Sequence, residues 1–171
     1  MTESYGWQIV PAWTNQDIVL YHGTSLPQAN DIVSDQVKLY FGNRAADFGR
    51  GFYTTTNLSQ ARRHSAKRSK YRGLGSAVVQ ITLPREELAY LHGLAFVLGE
   101  ASATDFWSLI EFCRTGMSGH ARHAAKFYDV VYGPVTSNYR ERLLHRGFDQ
   151  VSFHTERALE TLNQPGRRRI I

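Results

Sequence analysis

Two short stretches carry residues whose types and spacing suit the capture of a ligand bearing both phosphate oxygens and a flat ring. The longer is Asp47-Phe48-Gly49-Arg50-Gly51-Phe52-Tyr53-Thr54-Thr55. Glycines let backbone amides approach a ligand closely or turn through positive φ, and the Phe-Tyr-Thr-Thr run that follows has strand propensity. The reading is a glycine loop that presents amides to oxygens and feeds a strand with an aromatic face, Tyr53, at its start. Arg44 and Arg50 flank the loop as candidate phosphate or ribose contacts, and Asp47 either meets the ligand or orients the loop. The second stretch, Ile18-Val19-Leu20-Tyr21-His22-Gly23-Thr24, is a short apolar strand ending in a histidine beside a glycine. A neutral imidazole can donate from one ring nitrogen and accept at the other, which suits a sugar hydroxyl.

Taken together, Tyr21-His22-Gly23-Thr24 and Gly51-Phe52-Tyr53-Thr54-Thr55 resemble the first two signature strands of the ADP-ribosyltransferase superfamily, in its diphtheria-toxin and poly(ADP-ribose) polymerase branch. The chain more closely resembles a bacterial family of unknown function assigned to that fold. The resemblance runs through Asp47 to Tyr53, then Tyr128-Asp129-Val130-Val131-Tyr132-Gly133-Pro134-Val135, then Asp149-Gln150-Val151-Ser152-Phe153, and spans residues 18–162.

The resemblance implies an α+β fold of two small antiparallel sheets packed face to face, with flanking helices and an NAD+ cleft between the sheets. It implies that His22 bonds a ribose hydroxyl, that the Gly23 and Thr24 backbone faces the nicotinamide amide, and that Tyr53 stacks on the nicotinamide ring. Gly49, Phe52 and Thr54 complete the expected cofactor contacts. Gln150 stands where better-known enzymes of the fold carry a glutamate at the start of the last core strand. A glutamine can position a ribose hydroxyl but brings no negative charge to a developing oxocarbenium ion, so polymer elongation is not expected. The implied activity is mono-ADP-ribosyl transfer from NAD+ to a protein or nucleic-acid acceptor, in a toxin or defence setting. NAD glycohydrolysis, or a module of this fold that binds a nucleotide or nucleic acid without turnover, stands as the alternative.

The elements that must position these residues can be read in outline. The chain has 171 residues, 42% hydrophobic and 20% charged, a globular composition large enough for one core. Residues 1–16 read as an irregular lead-in, 17–163 as the domain, and 164–171 as a basic, mobile tail. A strand is expected at 17–22. A short helix follows, with Ser25 as cap and Pro27 in its first turn. A short strand is expected at 37–41, then the loop at 42–51 and the Tyr53 strand. Asn57 is placed to cap a helix over 58–71 that Gly73 ends. Ser76 to Leu83 alternates as a strand stopped by Pro84, and a short helix covers 85–91. Phe106, Trp107, Leu109, Ile110 and Cys113 have helical spacing, with Thr104 as cap. Tyr128 to Tyr132 reads as a strand stopped by Gly133-Pro134, with a helix near 138–145 after it. A last strand covers 148–154, and Thr155 caps a helix to Leu162.

Charge and special residues narrow the function classes. A single cysteine, Cys113, excludes an internal disulfide and a cysteine-based zinc cluster. His120 and His123 lack a completing carboxylate or cysteine set, so no metal is expected. The sequence shows no apolar run long enough to span a membrane and no secretory pattern at its start; a cytoplasmic protein without membrane partners is expected. Net charge is +5, with six basic residues and no acid from Arg62 to Arg72. Such a run repels itself unless solvated or neutralised. It points either to a solvated face, one able to dock an acidic antidote protein, or to nucleic acid.

Overall fold

The computed structural model describes residues 16–39, 45–97, 100–115 and 128–171. Within them the order of elements is β1 (Ile18–Ser25), α1 (Leu26–Ser34), β2 (Phe52–Thr54), α2 (Leu58–Arg72), β3 (Ser76–Leu83), α3 (Arg85–Leu88), β4 (Gly93–Ala95), α4 (Glu100–Arg114), β5 (Val130–Asn138), β6 (Leu143–Phe153), α5 (Glu156–Asn163) and β7 (Arg168–Ile170). The class is α+β. One sheet has the order β1-β3-β7 and the other β2-β6-β5-β4. All pairs are antiparallel except β4 with β5.

Alternation explains the first sheet. Leu20, Val79, Ile81 and Leu83 point to one side and are fully buried, alongside Phe52, Val151 and Phe153 of the second sheet and Ala158, Leu159 and Leu162 of α5. A separate cluster of Phe48, Phe96, Phe106, Ile110 and Val131 anchors α4 and the glycine loop on the second sheet. Cys113 is buried beside it, and burial pushes its thiol up to about 12. The sheets are joined where Tyr21 and Thr55 exchange backbone hydrogen bonds of 2.8 and 2.9 Å.

Helix α2 is positioned by its small residues. Ala61, Ser65 and Ser69 form the buried stripe, at i, i+4 and i+8. Ser65 and Ser69 donate to the carbonyls of Arg62 and Ser65, so neither hydroxyl is left orphaned. A Cβ built on Gly23 would lie 2.0 Å from the Ala61 carbonyl oxygen, so only glycine lets β1 and α2 pack this closely. Asn57 caps the helix by accepting from the Gln60 amide, and Gly73 ends it in the left-handed region. Thr155 caps α5 in the same way through the Ala158 amide.

Several elements differ from their sequence expectation. The backbone N–H and C=O of Val37 are both bonded to the Asn163 side chain, at 2.8 and 3.1 Å, so residues 37–39 are not a strand; 40 and 41 lie outside the described residues. Thr104 does not cap α4, which begins at Glu100. Gly133-Pro134 does not stop β5. The proline sits where the ladder loses register, and the strand continues to Asn138. No helix forms over 138–145. Residues 139–142 make a turn, with the Asn138 side chain accepting from the Arg140 amide and Arg142 at φ 54°, and β6 begins at Leu143. The expected mobile tail is instead partly strand: β7 pairs with β3, Arg167 grips Glu87 with two hydrogen bonds of 2.7 and 2.5 Å, and Arg168 donates to the Ile32 carbonyl and the Asn163 side chain. Basic side chains that read as part of a mobile tail have acceptors waiting in the fold.

Candidate functional site

The glycine loop is held from below by Tyr53. Its hydroxyl donates to the Gly49 carbonyl at 2.7 Å and accepts from the Phe48 amide at 3.0 Å, closing a turn in which Gly49 has φ 81°. Burial pushes that hydroxyl well above the ordinary tyrosine range, so it stays protonated. The other end of the loop is fixed by His154. Its Nδ1 faces the Arg50 carbonyl at 2.8 Å, and Nε2 lies 2.7 Å from the Ser152 hydroxyl. A carbonyl can only accept, so Nδ1 carries a proton. A Cβ on Gly51 would collide with this imidazole at 2.7 Å, which accounts for the second glycine.

Asp47 turns inward. It is 4% exposed, and its carboxylate accepts from Arg114 Nε and Nη2, the Thr136 amide and hydroxyl, and the Gln150 side-chain amide. One carboxylate thus ties the loop to α4, β5 and β6. Gln150, buried, donates from Nε2 to Asp47 at 2.9 Å and to the Pro134 carbonyl at 2.8 Å. Two acceptors demand the nitrogen there, which fixes the amide orientation and leaves Oε1 without a donor among the described residues.

His22 meets Tyr53 directly. Its Nδ1 donates to the Tyr53 carbonyl at 2.7 Å, and its ring stacks on Phe52 at 4.5 Å. The tautomer follows from the carbonyl: Nδ1 bears the proton and Nε2 presents a lone pair. Burial, and to a lesser extent the nearby His64 and Arg68, lower its pKa from 6.5 to about 4, so the ring is neutral at pH 7. Arg50 adds a donor. Its Nε is buried and has no hydrogen-bond partner among the described residues, an arrangement that costs free energy unless an acceptor arrives.

The fold therefore gathers His22, Gly49, Arg50, Gly51 and Tyr53 around one loop. The remaining sequence candidates fall differently. Thr24 and Thr54 are buried and bonded to Gln28 and to the Val151 carbonyl, and Phe52 is core. Gly23 serves the packing of α2. Arg44, His120 and His123 lie outside the described residues. Sequence reasoning missed Arg114, the counter-ion of Asp47, and His154, the anchor of the loop. It also missed Asp149, which accepts from Thr55, from the Thr56 amide and from the Thr56 hydroxyl, while Gln60 bonds its backbone. A buried aspartate predicts some cation, but nothing local in the sequence points to Arg114.

Among the described residues, no group of histidine, cysteine, aspartate and glutamate could hold a metal ion, and no helix is long and apolar enough to cross a membrane. A shallow concavity of about 270 Å³ lies elsewhere, lined by Glu87, Leu91, Arg157 and Glu160 among others. None of the site residues borders it.

A family model described as "Protein of unknown function (DUF3990)" matches residues 18–143, from the first residue of β1 to the first of β6. No curated protein matches the chain.

Proposed function

The chain belongs to that family, whose description leaves function open, and from the site we propose that it is a mono-ADP-ribosyltransferase using NAD+ as substrate. The N-glycosidic bond of NAD+ breaks with its electron pair leaving on nicotinamide. A bond forms between the ribose C1′ and an amine or hydroxyl of a macromolecular acceptor, which gives up its proton to solvent. The observation that carries this reading is the 2.7 Å hydrogen bond from His22 to the Tyr53 carbonyl, which brings two motifs distant in sequence to one place.

Each residue then has a task its geometry supports. The Nε2 lone pair of His22 accepts from a ribose hydroxyl, and its neutrality at pH 7 keeps it an acceptor. The Tyr53 ring offers a face to the cationic pyridinium, worth about 0.5–2 kcal/mol. The unpartnered Nε of Arg50 suits the diphosphate. The charge that develops on the ribose gains little from Gln150, a neutral amide held by Asp47. A slow transferase follows, with water as a competing acceptor and glycohydrolysis as the side reaction. A cytoplasmic setting and a toxin or defence role, with an acidic antidote protein as partner, belong to the same reading by analogy.

The engagement of Gln150 by Asp47 and Pro134 favours one other reading: a module that binds the nucleotide without turning it over. Both are tested by incubating the protein with labelled NAD+ and separating nicotinamide, free ADP-ribose and labelled macromolecules, while thermal melting reports binding. Transfer predicts a raised melting temperature, released nicotinamide and labelled acceptor, all weakened in His22→Ala and Tyr53→Ala. A raised melting temperature without nicotinamide selects the binding module. No melting shift at millimolar NAD+ removes both.

A further inference from the structure

We propose that the exposed face of α2, continued by the bulge of β6, is a binding surface for single-stranded nucleic acid; if the transferase reading holds, the strand bound there is the acceptor. Three observations carry the surface itself. Arg62, Arg63, Lys67, Arg68 and Lys70 are all exposed, and none forms an ion pair among the described residues. The helix places these cations within about 12 Å along its axis, a cluster that attracts a polyanion and gains from counter-ion release.

Aromatic rings stand beside the cluster. Between Thr136 paired with Leu144 and Pro134 paired with Asp149, β6 carries extra residues over β5, and Gly147 turns through φ 71°. This bulge brings Phe148 to 5.3 Å from the Arg63 guanidinium and to 5.3 Å from the His145 ring. Arg146 is exposed in the same segment. Rings interleaved with arginines form a stacking platform for unpaired bases, which a duplex does not offer. An acidic protein would need the cations but not the rings.

The surface also borders the candidate site. Helix α2 lies against β1 at Gly23, the residue after His22, with no room even for a Cβ between them. Two exposed residues of the helix, His64 and Arg68, lie close enough to act electrostatically on His22, so the cationic helix neighbours the imidazole.

Fluorescence anisotropy tests this with labelled 20-mers of oligo(dT) and oligo(U), a duplex of equal length, and a polyglutamate peptide as competitor. Binding of either single strand, tighter than duplex and resistant to polyglutamate, is the expected result, and the two arms separate DNA from RNA. Replacing Arg62, Arg63, Lys67 and Arg68 together with Gln should flatten the slope of log affinity against log salt by about 3. Phe148→Ala should weaken single strands about tenfold and leave that slope unchanged. Circular dichroism confirms that the exposed substitutions leave the fold intact. Undetectable binding at low salt, binding that survives the quadruple change, duplex bound as tightly as single strands, or displacement by polyglutamate at equal charge each overturns the proposal. The NAD+ melting shift is measured on the same variants. Its absence with strand binding intact would remove the transferase reading and leave this surface standing.

Discussion

At the scale of single residues, Gln150 is where chemistry and stability pull in different directions. A glutamate there would put a carboxylate oxygen against Asp47 Oδ2 and the Pro134 carbonyl, both of which now accept from the amide. Gln150→Glu should therefore destabilise the protein by about 2–4 kcal/mol at pH 8, with part of the loss recovered in acid as the new carboxyl takes up a proton. Urea denaturation at pH 8 and pH 5 checks this; wild-type stability at pH 8 would mean the amide orientation is wrong. His22 gives a second expectation. Its folded pKa of about 4 lies below the ordinary 6.5. Between those values the unfolded chain binds a proton that the folded chain does not, so its contribution to stability is whole above 6.5 and is lost as pH falls towards 4. NAD+ affinity that depends on neutral His22 should stay level from pH 8 to pH 6 and decline only below about 5. A midpoint near 6.5 in a pH titration of affinity would show the ring to be solvated and ordinary.

At the scale of elements, the contact of β1 with α2 decides whether the site has its frame. Gly23→Ala forces a methyl into the Ala61 carbonyl and should cost about 2–3 kcal/mol or more. Gly93→Ala, with nothing within 4 Å of the new methyl, should fall within about 0.5 kcal/mol of wild type. Thermal melting of the two variants side by side tests the difference, and equal behaviour would dissolve the close-packing account. Elements defined by local signals were readable in the sequence. The bounds of α2 and α5 follow from Asn57, Gly73 and Thr155, each acting on backbone within a few positions, and β3 follows from its alternation and Pro84. Elements defined by distant partners were not. β5 runs through Pro134 because β6 pairs with it on both sides of the bulge, and β7 exists because β3 offers an open edge. The same division holds at the site. His22 and Tyr53 could be named from their motifs. The Asp47–Arg114–Gln150 network could not, because its members come from three separated segments and carry no signal until they meet.

At the scale of the whole molecule, sequence separation falls unevenly. β5 and β6 form a local hairpin, whereas the three residues of β2 pair with Val151, Ser152 and Phe153, about a hundred positions away. Loop closure of that length makes β2 a late arrival in folding. Hydrogen exchange pulsed during refolding should show amides of β2 and of loop residues 45–51 becoming protected with or after β6. Protection of β2 ahead of β6 would contradict this. During synthesis the chain emerges N-terminus first, so the glycine loop leaves the ribosome long before the strand that seats it. The half of the site that is made first is the half completed last, and a nascent chain still lacking β6 carries both motifs with no pocket built from them.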